Sequence, residues 1–295
     1  DKNMKINILD TRKLYTEMFS LPENKRGAFF DEKFLQPFAP MLELTRMPRN
    51  PEALSCLALS GADDIAKDML NQLIAANAWD EAQKAIDIAV ENLQKAGITM
   101  PEEITLGIFL GDPVRLAQSE GYTGAGSMPG YILIMIAPNA QNLPKLPACI
   151  AHEFHHNVLF SNVTWNFMKI TLSQYLAVEG MAESFAAALY GEDCIGPWVT
   201  GVTGAELEKA RDMIGKNLDV AGFMEVRKYI FGDHPMVPES EALGIPYCGG
   251  YSVGYHATQA YLRKTGKTIA EATKAFIDGE DIAKQSGYFT TNEEG

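Results

Sequence analysis

The stretch from Pro147 to Gly191 constrains this chain more than any other. It reads P-A-C-I-A-H-E-F-H-H-N-V-L-F-S-N-V-T-W, then N-F-M-K-I-T-L-S-Q-Y-L-A-V-E-G-M-A-E-S-F-A-A-A-L-Y-G. Its apolar spacing predicts two helices. Pro147 suits a first helical position, where its missing N–H has no partner to lose. Gly191 suits the residue just past a helix end, where positive φ is wanted. A short connection around Ser161–Thr164 would let the second helix fold back beside the first, and Gly180 would thin the second where the two must approach.

The first helix carries H-E-x-x-H as His152, Glu153, Phe154, His155 and His156. Residues four apart share a helix face, with Cβ atoms about 5–6 Å apart. Imidazoles at His152 and His156 can therefore converge on one ion. Glu153, about 100° round the helix from His152, borders that ion without binding it. A carboxylate there can take a proton from water, the step a metallohydrolase requires.

A catalytic zinc site needs three protein ligands and an open position. The second helix offers Glu179 as the third, with Glu183 one turn on. Tyr175, Leu176, Val178, Met181, Phe185 and Leu189 mark this helix as buried, and buried carboxylates want a cation or a donor. Glu183 is placed to accept from the second ring nitrogen of His152. His155 reads as a core histidine, because it points off the 152/156 face. The competing class is a protein that keeps the helix pair as a zinc-stabilised structural or peptide-binding element. A closed fourth position would favour that class, an open one the enzyme. An N-terminal segment lying over the cleft, as in a zymogen, is a third reading.

His152-Glu153-Phe154-His155-His156 followed by Glu179-Gly180-Met181-Ala182-Glu183 resembles the gluzincin pattern, in which a downstream glutamate completes the zinc site. More narrowly, the chain resembles the bacterial YjaZ-like family of predicted zinc-dependent proteases. Phe231-Gly232-Asp233, Gly250-Tyr251-Ser252-Val253-Gly254-Tyr255-His256 and Gln259-Ala260-Tyr261-Leu262 carry the same resemblance, which covers about residues 105–289. It implies an α+β gluzincin-like fold. An N-terminal lobe with a small mixed sheet and the zinc helix (1–160) would face a mainly helical C-terminal lobe (161–295). It also implies Zn²⁺ as cofactor, a peptide or protein substrate, and a water activated by Glu153.

Two further groups are candidates in that chemistry. Tyr122, Thr123, Gly124, Ala125 and Gly126 lie in a glycine-rich stretch that reads either as a hairpin connection or as a sheet edge able to pair with an extended peptide. Tyr251 and Tyr255, four apart at a helix start thinned by Gly249, Gly250 and Gly254, are candidate donors to a tetrahedral oxyanion. They read alternatively as buried tyrosines packing against glycines. His234 reads as a surface histidine in the Asp233-His234-Pro235 loop.

The remaining expectations come from pattern and composition. Ile6–Leu9, Ile104–Leu110 and Tyr131–Ala137 read as strands, the last apolar throughout and so central. Helices are expected over about 62–76, 79–96, 204–216, 223–230 and 269–277. From Ala28 to Met47 a helix is expected to be interrupted at Pro37 and Pro40. Acidic residues outnumber basic ones enough to give a net charge of −13, with no basic cluster, which speaks against nucleic acid. No apolar run has membrane-helix length. Asp1-Lys2-Asn3-Met4-Lys5-Ile6 has no apolar leader, and Met4 can serve as a start. Four cysteines without a C-x-x-C pair read as free thiols, two bridges being the alternative. The cytoplasm is the expected compartment and secretion the alternative. The oligomeric state is left open.

Overall fold

The computed structural model describes residues 3–234 and 237–290. They divide into two compact units. One runs up to Val90 and adds Met100–Val158; the other comprises Glu91–Thr99 and everything from Leu159 onward.

The first unit contains β1 (Lys5–Ile8), α1 (Thr11–Phe19), α2 (Glu23–Phe29), α3 (Ala39–Leu44), α4 (Asp63–Ala75) and most of α5 (Ala78–Gln94). β2 (Glu103–Leu110), β3 (Tyr122–Ala125), β4 (Tyr131–Ile136) and most of α6 (Leu146–Asn162) follow. The sheet is small and mixed, in the order β1-β2-β4-β3, with β1, β2 and β4 parallel and β3 antiparallel to β4. β2 and β4 are central and almost wholly buried, as strands covered on both faces must be. β3, the expected glycine-rich stretch, is an edge strand.

α1 is bolted to β2 by polar contacts. Thr11 Oγ1 donates to the Ile108 carbonyl at 2.7 Å, and the Leu110 N–H donates to the Tyr15 hydroxyl at 2.8 Å. Phe30, Phe34 and Phe38 pack edge-on against Phe109 of β2, with ring centroids 5.5–5.9 Å apart. A Cβ at Gly107 would lie 2.9 Å from the Phe38 ring, so that strand glycine lets the aromatic layer reach the sheet. The helix expected over 28–47 breaks earlier than its prolines. Phe30–Leu35 is a π-helical stretch and Gln36–Phe38 a 3₁₀ turn. Pro37 and Pro40 sit in the first two positions of the 3₁₀ turn and of α3, where no N–H is missed.

The second unit contains α7 (Leu172–Tyr190), α8 (Pro197–Thr200), α9 (Gly204–Gly215), α10 (Phe223–Phe231), α11 (Gly249–Thr265), α12 (Ile269–Ile277) and α13 (Ile282–Gln285). Thr171 and Gln174 form a reciprocal capping box that starts α7, and Gly191 ends it at φ 92°. Leu172, Leu176, Ile214, Val226, Ile230 and Val253 make its core. α7 and α11 approach backbone to backbone. A Cβ on Gly180 would lie 2.0 Å from the Gly254 carbonyl oxygen, and one on Gly254 would lie 2.6 Å from that of Leu176. Gly180 thus accommodates α11, a correction to the expectation that it faces the H-E-x-x-H helix. The loop expected at Asp233-His234-Pro235 is described as far as His234; Pro235 lies outside the described residues, as do Asp1 and Lys2.

Among the described residues no helix is long and apolar enough to cross a membrane. None of the four cysteines forms a disulfide among the described residues.

Candidate metal centre

α6 is apolar on nearly all sides, so its polar residues are buried with it: His152, Glu153, His155, His156 and Asn157 are each less than a tenth exposed. The helical period brings the His152 and His156 rings to a centroid distance of 4.7 Å, nearly perpendicular to each other. Glu179 of α7 is also buried. One ligand atom from each of His152, His156 and Glu179 lies within 4.8 Å of the others.

Two imidazoles and a carboxylate are one of the donor sets that catalytic zinc sites use. Donors bound tetrahedrally at about 2.1 Å stand roughly 3.4 Å apart, so side-chain shifts of about 1 Å would gather these three round one ion. The residues present therefore fit a single divalent metal. The Glu153 carboxylate lies 3.9 Å from His152 Nε2, beside the cluster and outside its ligand set.

The edge strand explains how Glu153 is accommodated. A Cβ on Gly124 would lie 2.7 Å from Glu153 Cγ, and one on Gly126 would lie 2.9 Å from Oε2. The glycines of the Tyr122–Gly126 stretch thus make room for this carboxylate. Tyr122 is buried, Thr123 and Gly124 are half-buried, and Ala125 is exposed. Asn157, one turn beyond Glu153, donates through Nδ2 to the carbonyls of Gly126 and Tyr131 and accepts the Gly130 N–H at 2.7 Å. Sequence reading missed it. Its one visible signal was the four-residue spacing from Glu153.

Glu183 accepts from the Gly196 N–H at 3.0 Å and from Trp198 Nε1 at 2.6 Å. These bonds tie α7 to the start of α8. Tyr255 is buried against Ile195 and Val199, and its hydroxyl donates to Glu192 at 3.2 Å. Burial, then the Glu192 charge, pushes that hydroxyl well above its usual range. Tyr251 is half-buried, its ring 6.1 Å from that of Phe231. His155 is fully buried, and the His234 ring lies 4.8 Å from that of Tyr247. Burial raises the neighbouring Cys248 thiol to about 11; the hydrogen bond from Tyr247 opposes this and the Glu179 charge adds to it. Cys248 therefore stands near enough to Glu179 to feel it, which its sequence position did not reveal. Asp233 accepts the N–H groups of Leu243 and Gly244, both at 3.0 Å, and so pins its own loop.

These features define a mixed α+β protein with a buried His-His-Glu cluster able to hold a metal ion. Residues 78–284 match the family described as "Predicted Zn-dependent protease (DUF2268)". The chain is also 37% identical over 297 residues to the "Uncharacterized protein YjfC" of Bacillus subtilis (strain 168), covering 94% of this chain and 96% of that one. The chain belongs to this family. No solved structure matches it.

Proposed function

We propose that the protein is a zinc-dependent peptidase of the gluzincin type. The observation that carries this reading is the buried Glu153 carboxylate, 3.9 Å from His152 Nε2 yet outside the ligand set. A carboxylate held beside the cluster but not in it is placed to take a proton from water.

His152, His156 and Glu179 hold the metal. A zinc ion bound there supplies Lewis acidity towards a peptide carbonyl and makes water more acidic. Glu153 accepts the proton that water gives up and later returns it to the leaving amine. Glu183 steadies the site from α7 through its bonds to Gly196 and Trp198. The edge of β3 away from β4, across Tyr122, Thr123, Gly124, Ala125 and Gly126, would offer backbone groups to an extended peptide, apart from the Gly126 carbonyl that Asn157 holds. Tyr251 or Tyr255 donates to the developing oxyanion; Tyr255 must exchange its Glu192 bond to do so.

The test is metal analysis of the purified protein followed by digestion of a peptide library with and without a chelator. Cleavage that stops on chelation and returns with zinc is the expected result. A zinc-loaded protein that cuts no peptide would overturn the assignment.

A further inference from the structure

Glu153 is useful as a base only if its carboxylate is kept in one place. A glutamate side chain on a helix has several rotamers, and a base displaced by about 1 Å can lose two orders of magnitude in rate. The restraint on this one comes from the sheet edge. Gly124 and Gly126 alternate along the strand, so both lack a side chain on the same face, and that face is filled by Glu153. The space is tight: positions 124 and 126 would bring a Cβ to 2.7 Å from Glu153 Cγ and 2.5 Å from the Glu153 carbonyl oxygen.

Edge strands are ordinarily the more mobile part of a sheet, and this one is short. Asn157 fixes it. Its fully buried amide spans the β3–β4 connection, taking the Gly126 and Tyr131 carbonyls and the Gly130 N–H. Asn157 and Glu153 are four residues apart on α6, so the pin and the carboxylate meet the strand side by side.

We infer that Asn157, Gly124 and Gly126 are positioning residues for the Glu153 carboxylate: the amide clamps the strand, and the two missing side chains shape the slot in which the base is held. This rests on the peptidase reading for its catalytic consequence, but the positioning itself does not depend on it.

The test is Gly124→Ala in the full chain, chosen because position 124 is half-buried on an edge strand and alanine leaves every Asn157 bond available. In its crystal structure, compared with the wild type, the Glu153 carboxylate should be turned out of the slot while the Asn157 bonds stay. With zinc loaded to the wild-type level, kcat should fall about 10–100-fold. Adding Glu153→Gln to Gly124→Ala should then cost much less than it does in the wild type. An unmoved Glu153 with β3 drawn back, or a displaced Glu153 with unchanged kcat, would overturn the inference. If the wild type cuts no peptide, the peptidase assignment fails, and the two crystal structures alone still decide whether Gly124 positions Glu153.

Discussion

Glu153 is the residue on which hydrolysis would turn, and it lies 3.9 Å from His152 Nε2 against Gly124 and Gly126. Replacing Glu153→Gln keeps the side chain's shape and removes its ability to take a proton. Zinc content should be unchanged while kcat/KM falls about 10²–10⁴-fold, the usual reach of general-base catalysis. Inductively coupled plasma analysis beside a peptide-cleavage assay would read both. His152 and His156 were legible as a pair because a helix repeats every 3.6 residues and puts residues four apart on one face; Glu179, on the next helix, was reached instead from its place as a carboxylate on an apolar helix. The environment of Glu153 was not legible. Gly126 and Asn157 are 31 positions apart, and no local period links them. The partners of Glu183 were hidden likewise, since Trp198 reaches it only after a turn that ends one helix and starts another.

At the scale of elements, helix ends came close to where caps and glycines put them, because a capping residue leaves its mark in the sequence. The Phe30–Leu35 π stretch left none. Its residues keep a helix-like apolar pattern, so nothing local marks where the backbone widens. The α7–α11 contact was half legible: glycines at 180 and 254 announced a close approach but not the partner. Gly180→Ala should destabilise the fold by about 3 kcal/mol, at the upper end of overpacking costs, because its Cβ meets a backbone carbonyl that cannot turn aside. Gly27→Ala is the matched control. That helical glycine has open space within 4 Å, and alanine there should stabilise by about 0.4–1 kcal/mol. Urea denaturation of the two variants would separate these signs.

For the molecule as a whole, acid is the condition that removes one of its ties. Arg26 donates to both oxygens of Asp63, at 2.8 and 3.0 Å, and to the carbonyls of Phe19, Leu21 and Leu59. Its hydrogen bonds hold the Asp63 carboxyl below the ordinary 3.8. A lowered folded-state value means the stabilisation is complete above the unfolded value and drains away as pH falls through the folded one. The gap in unfolding midpoint between wild type and Asp63→Asn should thus be full at neutral pH and close as the pH falls through the lowered Asp63 value. A gap independent of pH would show that the carboxylate charge contributes nothing.

The central claim is that His152, His156 and Glu179 together hold one zinc ion, and a binding titration tests it most directly. Metal-free wild type and the Glu179→Gln variant would each be titrated with zinc against a competing chelator. One zinc should bind per wild-type chain, and the variant's affinity should be at least about 100-fold weaker, beyond what losing an outer partner costs. Equal affinity in the two proteins, or no zinc bound by the wild type, would contradict it.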